Sequence, residues 1–255
     1  MADLRQIYVP SVFVRQSPDE HAEVSNQLLF GESVRVIDDR APIWIEIESA
    51  HDSYQGFIPK AAICEAFTPS HKISVPLTHV YEQPDFKSAI LWPLFFHSPV
   101  RSSGQTENGF FKLDHGGWIY ESHLVAMDST EPDFVKTALM FEGAPYVWGG
   151  RSVSGVDCSG LVQISLMAAG VNTPRDTHQQ DQSVGAPIPE ASPALMRGDL
   201  VFFKGHVGIM LDEQRVLNAT SRHMQVVVEN IEDLAKAYGG ITCVRRMDLD
   251  ATSNG

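Results

Sequence analysis

The chain has few cysteines and few basic residues for its length, and it contains no long hydrophobic run. Its three cysteines, Cys64, Cys158 and Cys243, are odd in number and widely spaced. This spacing does not form a disulfide framework, and it fits a reducing compartment. Only 19 Lys and Arg stand against 32 Asp and Glu, and the net charge of −13 argues against general affinity for nucleic acid or anionic lipid.

Targeting and membrane signals are also missing from the sequence. The N-terminal residues show neither the basic nor the apolar region of a secretory signal, and no stretch reaches the length of a membrane span. We therefore expect a cytoplasmic protein that has neither nucleic acid nor a membrane as its partner. The 255 residues are enough for two or three modest domains.

The first half of the chain contains an internal repeat. At a shift of 66 residues, seven positions between Val14 and Arg35 match their counterparts, and "WIEI" falls on "FFKL". The shift then becomes 61, because the second copy is shorter just before Gly117. Short β-rich runs between turn residues predict a small barrel in each copy. Chance similarity is the alternative, but matched Pro-Asp and Val-Arg pairs favour duplication.

The second half of the chain has a different pattern. "EPDFVKTALMFEG" predicts a helix capped by Ser129 or Thr130, and "DCSGLVQISLMAAG" predicts a second helix that ends at Gly170. Four strand-like segments follow between residues 198 and 231. Helices followed by a meander of strands indicate an α+β arrangement. The predicted domains are residues 1–67, 68–128 and 129–255.

Cys158 differs from the other two cysteines in having sequence neighbours that favour a chemical role. A free cysteine is usually a small buried apolar residue, and we assign that role to Cys64 and Cys243. Cys158 instead lies between Asp157 and Ser159 at the start of a predicted helix. Unpaired N–H groups and the helix dipole at such a position favour a thiolate. Cys158 is therefore a candidate nucleophile.

A cysteine nucleophile needs a base and a group that orients the base. His206 opens the strand-like segment "HVGIML", and Asn218 lies on what should be the neighbouring strand. The side-chain carbonyl of Asn218 is able to accept a hydrogen bond from the imidazole. Spacing alone leaves open both a catalytic triad and an ordinary set of polar residues.

Four segments resemble the NlpC/p60 family of cysteine peptidases: "APYVWGGRSVSGVDCSGLVQ", "TPRDTHQQ", "MRGDLVFFKGHVGIML" and "RVLNATS". They occur in the family's order. The resemblance implies a papain-like catalytic domain preceded by two bacterial SH3-like barrels. It also implies that Cys158 is the nucleophile, His206 the base and Asn218 the residue that orients the base. The family often has histidine at the third position, so Asn218 is the less common choice.

The resemblance also assigns a role to the tyrosine of "PYVWGG". It places the Tyr146 hydroxyl close to the nucleophile, where this hydroxyl and the Cys158 backbone N–H can face the oxyanion of a tetrahedral intermediate. The alternative is ordinary aromatic packing. For Trp148 we adopt that alternative.

Substrate recognition is implied by the same resemblance. Family members cleave peptides of peptidoglycan, commonly between γ-D-glutamate and a diamino acid, and those with SH3-like domains require a free N-terminal L-alanine. Asp176 and Thr177 would bind this amine, while Glu32 and Tyr54 of the first barrel close the pocket. Carboxylates and a hydroxyl suit the three donors of an ammonium group. The alternative makes Glu32 a solvated turn residue and Tyr54 a barrel aromatic.

The expected function is hydrolysis of the γ-D-glutamyl–diamino acid bond in murein peptides, within cell-wall recycling. We expect neither a metal nor a cofactor. One alternative is an inactive protein that binds peptidoglycan peptides, and another is an amidase or acyltransferase acting on lipids. Retention of Cys158 and His206 disfavours the first, and the lack of an apolar anchor disfavours the second.

Overall fold

The computed structural model describes residues 4–189 and 194–248. The chain divides into two compact units, Met1–Ser129 and Thr130–Gly255. The outer ends of the predicted domains, residues 1–3 and 249–255, lie outside the described residues, and the boundaries between the three domains remain a prediction. Within residues 4–189 and 194–248, no helix is long and apolar enough to cross a membrane.

The first unit is built from short β-strands and two single 3₁₀ turns, Lys60–Ala62 and Glu121–His123. Its strands are β1 (Leu4–Ile7), β2 (Ser11–Arg15), β3 (Val24–Leu29), β4 (Ser33–Asp38), β5 (Trp44–Ser49), β6 (Gln55–Pro59), β7 (Ile63–Glu65), β8 (His71–Ile73), β9 (Leu77–Tyr81), β10 (Ile90–Phe95), β11 (Pro99–Val100), β12 (Ser102–Glu107), β13 (Phe110–Leu113), β14 (Trp118–Tyr120) and β15 (Leu124–Ala126).

The strand order confirms the internal repeat. The first copy forms one sheet in the order β3-β2-β6-β5-β4-β1-β7. The second copy repeats this order in two sheets, β10-β9-β14-β13-β12 and β11-β8-β15, because the counterpart of β4 is divided at Arg101. The hairpin between β5 and β6 is longer than the one between β13 and β14, and the extra residues include the neighbourhood of Tyr54.

Backbone hydrogen bonds repeat at the same 66-residue shift. The Ile7 N–H donates to the Glu32 carbonyl at 3.0 Å, and the Ile73 N–H donates to the Ser98 carbonyl at 3.1 Å. The residue before each acceptor, Gly31 or His97, has a left-handed backbone, with φ of 77° and 68°. Two turns with the same bonds and the same unusual conformation support duplication over chance similarity.

Within residues 130–189 and 194–248, the second unit combines four helices with a six-stranded antiparallel sheet in the order β18-β23-β19-β20-β21-β22. The structure confirms the second predicted helix and the meander, whereas α3 and α4 were not predicted. Its elements are α1 (Phe134–Leu139), β16 (Arg151–Ser152), β17 (Gly155–Val156), α2 (Cys158–Ala168), α3 (Thr177–Ser183), β18 (Ala186–Pro187), β19 (Leu200–Phe203), β20 (His206–Met210), β21 (Arg215–Thr220), β22 (Gln225–Asn230), α4 (Ile231–Tyr238) and β23 (Cys243–Arg246).

The prediction for the cap of α1 was wrong. Asp133 caps the helix, because its Oδ1 accepts a hydrogen bond from the Lys136 N–H at 3.0 Å. Pro132 explains the late start, since a proline disfavours the helical conformation of the residue before it. Neither Ser129 nor Thr130 therefore begins the helix.

The end of α2 is as predicted. Gly170 has φ of 80°, and the Val171 N–H donates to the Leu166 carbonyl at 2.9 Å, which closes the helix with a left-handed residue. The helix packs against β20 and β21. This packing holds the first residue of α2 beside the sheet that carries His206.

Candidate active site

The start of α2 is fixed by a buried carboxylate. Asp157 is the N-cap residue, and its Oδ1 accepts a hydrogen bond from the Gly160 N–H at 2.7 Å. Its Oδ2 accepts from the Gly149 N–H at 2.8 Å and from Arg175 Nη2 at 2.6 Å. The Arg175 side chain is only 1% exposed. The buried ion pair therefore sets the position of Cys158, the first residue of the helix.

The Cys158 thiol lies in an enclosed polar site. The residue is 5% exposed, and its Sγ is 3.9 Å from Thr177 Oγ1. Burial, together with the charge of Asp157, raises the pKa of Cys158 to about 11, although the Val207 N–H, the Thr177 hydroxyl and the nearby Arg175 oppose the change. The thiol is therefore protonated at neutral pH. Desolvation thus outweighs the effect of the helix terminus, which favours a thiolate.

Cys64 and Cys243 are half-buried free thiols on β7 and β23, whereas Cys158 is buried. Cys64 packs against the hydrophobic core of the first unit, in keeping with the structural role predicted for it. Trp148, for which ordinary aromatic packing was expected, is 56% exposed. It lies in a loop just before Gly149, and the sequence motif gave no signal of its exposure.

His206 and Asn218 come together as predicted. His206 Nε2 lies 3.0 Å from Asn218 Oδ1, and both residues are buried. A carbonyl oxygen only accepts hydrogen bonds, so the ring proton resides on Nε2 and the neutral ring keeps a lone pair on Nδ1. Burial lowers the pKa of His206 to about 4, although the Asn218 hydrogen bond opposes this change. The imidazole is therefore neutral at pH 7.

Gly208 lies where the side chains of β21 come close to the backbone of β20. The register of β20 and β21 pairs Ile209 with Leu217, which puts Gly208 opposite Asn218. A Cβ atom at Gly208 would lie 2.5 Å from Val216 Cγ2 and 3.4 Å from Asn218 Cβ. A side chain at this position would therefore require Val216 to move. The close approach favours the glycine of "HVGIM".

Tyr238 holds the imidazole from one side. Its ring stacks on that of His206 with centroids 4.2 Å apart and planes only 2° from parallel. The Tyr238 hydroxyl is 3.1 Å from Thr220 Oγ1, which fixes the stacking ring. Tyr238 is not among the residues predicted from the sequence, because the helix that carries it, α4, was not predicted. The signals were present: Asn230 caps the helix, and Gly239 ends it in a left-handed conformation.

Tyr146 lies near enough to the Cys158 thiol for a charge on the sulfur to affect its phenol. The residue is half-buried, and its backbone N–H donates to the Met224 carbonyl at 2.9 Å. Burial raises the pKa of its phenol, and the charge of a Cys158 thiolate is the next largest cause. The hydroxyl is therefore a protonated donor near the sulfur. Its role at an oxyanion remains a prediction.

The residues expected to bind a substrate amine lie in both units. Asp176 caps α3, where its carbonyl accepts from two backbone N–H groups at 3.0 Å, and Thr177 follows it next to the Cys158 sulfur. Glu32 lies in a turn of the first unit and is only 7% exposed, with its Oε2 accepting from the Leu29 N–H at 2.9 Å. The alternative of a solvated Glu32 is therefore wrong.

Tyr54 lies at the end of the longer hairpin of the first copy. Its backbone N–H donates to Asp52 Oδ1 at 3.1 Å. The hairpin that carries it, between β5 and β6, is longer than the corresponding hairpin of the second copy, between β13 and β14. The participation of Tyr54 and Glu32 in a substrate pocket remains a prediction.

A thiol at a helix N-terminus, with an imidazole and an amide on adjacent strands, is typical of a cysteine hydrolase. Comparison with known proteins agrees. Residues 143–241 match the NlpC/P60 family, and residues 14–63 match the bacterial dipeptidyl-peptidase SH3 domain. The chain therefore contains an NlpC/P60 domain and a bacterial dipeptidyl-peptidase SH3 domain, and it is an enzyme of the cysteine peptidase class.

Named relatives cover most of the chain. Dipeptidyl-peptidase 6 of Lysinibacillus sphaericus is 27% identical over 259 residues, which cover 92% of each protein. Gamma-D-glutamyl-L-lysine dipeptidyl-peptidase of Bacillus subtilis is 29% identical over 223 residues, or 77% of this chain and 72% of the relative. The crystal structure of an NlpC/P60 family protein from Bacillus cereus has a TM-score of 0.80 at 18% identity, covering 95% and 99% of the two chains. This structure shares the fold.

The protonation state of the thiol can be tested by alkylation. Because burial raises the pKa of Cys158 to about 11, its alkylation rate should rise about tenfold per pH unit between about pH 7 and 10. The measurement is mass spectrometry of the Cys158 peptide after timed treatment with iodoacetamide. A Cys158→Ser variant gives the background from Cys64 and Cys243. A rate that stays high and constant down to pH 6 would instead show a resting thiolate.

Proposed function

We propose that this enzyme hydrolyses the γ-D-glutamyl–diamino acid bond of murein peptides that carry a free N-terminal L-alanine. The observation that carries the proposal is the buried His206–Asn218 hydrogen bond, 3.0 Å long, on the strands against which the Cys158 helix packs. The names of two relatives, which describe dipeptidyl-peptidases, support the choice of substrate.

The chemistry begins from a neutral thiol and a neutral imidazole. His206 Nδ1 takes the Cys158 proton as the sulfur attacks the γ-carbonyl carbon of D-glutamate. The resulting oxyanion is stabilised by the Cys158 backbone N–H, which has no partner within its helix, and by the Tyr146 hydroxyl. The imidazolium then protonates the leaving amine of the diamino acid, and the C–N bond breaks. Water activated by His206 hydrolyses the thioester and restores the thiol.

The free amine of L-alanine is the second recognition element of this proposal. Thr177 is within 3.9 Å of the Cys158 sulfur, so the Asp176–Thr177 step lies beside the reacting atoms. An ammonium group has three donors, which a carboxylate of Asp176, a carboxylate of Glu32 and a hydroxyl can accept. In this proposal Glu32 and Tyr54 close the pocket beyond the alanine. An acylated amine would then have no room.

The proposed context is recycling of released wall peptides in the cytoplasm. Intact peptidoglycan carries its L-alanine in amide linkage, so a free amine exists only on released peptides. The three cysteines are all free thiols, which fits a reducing compartment.

Triad variants test the mechanism. Cys158→Ala should abolish release of the diamino acid from L-Ala-γ-D-Glu-diamino acid, and His206→Ala should lower kcat about 10²–10⁴-fold, the usual contribution of a general base. Asn218→Ala should have a smaller effect because it only orients the ring. Product analysis by mass spectrometry measures each rate, with Cys64→Ala as the matched control that keeps full activity. Substantial turnover by Cys158→Ala would rule out the thiol mechanism.

Acetylation of the substrate tests amine recognition. The wild-type enzyme should cleave the N-acetylated tripeptide far more slowly than the free tripeptide, because acetylation removes the charge and adds bulk. Asp176→Ala should reduce kcat/KM for the free peptide by an amount corresponding to about 2–5 kcal/mol, as expected for losing one partner of a desolvated charge contact. The same variant should discriminate less between the two peptides than the wild type does, because only the steric part of the discrimination remains. Equal kcat/KM for both peptides with the wild-type enzyme would contradict the proposed pocket.

A further inference from the structure

Asn218 makes a second side-chain contact that the catalytic roles above do not use. Its Nδ2 donates to Glu229 Oε2 at 3.1 Å, while the Val227 carbonyl lies at 3.4 Å, near the limit of a hydrogen bond. Asn218 pairs with Val227 in the register of β21 and β22, so Glu229 is its diagonal neighbour on the same face of the sheet. The contact is therefore a consequence of strand register.

The Glu229 carboxylate is held in place by two further groups. Its Oε1 accepts from Arg222 Nη1 at 3.0 Å and lies 3.2 Å from His223 Nε2. This leaves Oε2 for Asn218. Burial raises the pKa of Glu229, but the hydrogen bonds from Asn218 and His223 and the nearby Arg222 charge outweigh it and lower the pKa overall. Glu229 is therefore ionised at neutral pH.

The charge of Glu229 fixes the orientation of the Asn218 amide, and this orientation fixes the tautomer of the His206 ring. An ionised carboxylate only accepts hydrogen bonds, so the nitrogen of the Asn218 amide must face Glu229 and its oxygen must face His206. With the amide turned the other way, its oxygen would oppose the carboxylate and its nitrogen would favour a proton on His206 Nδ1. That tautomer has no lone pair on the nitrogen needed to take the thiol proton.

We propose that Glu229 is a positioning residue of the active site, which acts through Asn218 to keep the His206 proton on Nε2. The proposal rests on the proposed role of His206 as the base. Glu229 touches neither the thiol nor the imidazole in this scheme. Its negative charge also favours the imidazolium that forms when His206 takes the Cys158 proton.

A double-mutant cycle tests the route through Asn218. Glu229→Leu removes the acceptor at similar size and should lower kcat about tenfold with KM nearly unchanged, because one charge-assisted hydrogen bond is lost. Glu229→Gln keeps an oxygen acceptor and should be closer to wild type. In the Asn218→Ala background, Glu229→Leu should change kcat by less than about twofold, since interacting residues are not additive. Glu213→Gln, in the exposed turn between β20 and β21, is the control and should match wild type.

The ring tautomer gives a readout that does not depend on the substrate. Two-bond ¹H–¹⁵N NMR spectra of His206 at pH 7 should show the proton on Nε2 in the wild type and in Glu229→Gln, and a population with the proton on Nδ1 in Glu229→Leu. An unchanged tautomer in Glu229→Leu, or an equal loss of kcat in both backgrounds, would overturn the proposal. If the wild type does not cleave the tripeptide, the proposed function fails, and the tautomer still decides the role of Glu229.

Discussion

The Asp157 carboxylate connects the segments that carry the candidate active site. It binds the N–H of Gly149 in the loop after Tyr146, the N–H of Gly160 in α2, and the guanidinium of Arg175 just before Thr177. Arg175 Nη1 also donates to Ser159 Oγ at 2.8 Å. A buried charge without its partner costs about 3–5 kcal/mol, so the loss of Arg175 or Asp157 would disturb all three segments together.

Burial also decides the electrostatics of the site. Desolvation raises the pKa of the Cys158 thiol and lowers that of His206, so both effects favour the neutral pair over a thiolate and an imidazolium. Several neighbouring groups act in the opposite direction, since Thr177 and the Val207 N–H favour the thiolate and Asn218 favours the imidazolium, although the charge of Asp157 acts together with burial. Burial outweighs these contacts, so the pair is neutral at pH 7.

The sequence predicts the parts of the fold that leave a local or periodic signal. The repeat is visible because the two copies share turn residues at a shift of 66 residues over most of their length, and α2 is visible because Gly170 ends an apolar helix that starts at Cys158. The start of α1 was predicted too early because the effect of Pro132 was overlooked. The helix α4 was missed although Asn230 and Gly239 mark both of its ends.

Only those residues of the candidate site that lie within a sequence motif could be predicted. Cys158, His206 and Asn218 lie in recognisable segments, and the structure brings His206 and Asn218 together. The contacts of Tyr238 and Glu229 depend on how a helix packs and how two strands pair in register, which a single sequence does not specify. The exposure of Trp148, which is 56%, likewise leaves no signal in its sequence neighbours.

The central claim is that Cys158 attacks the substrate and forms a thioester. The most direct measurement is mass spectrometry of the enzyme quenched with acid during turnover of L-Ala-γ-D-Glu-diamino acid. The account predicts an adduct with the mass of the L-Ala-γ-D-Glu acyl group on the peptide that contains Cys158. An adduct on another residue, or full turnover by the Cys158→Ala variant, would contradict it.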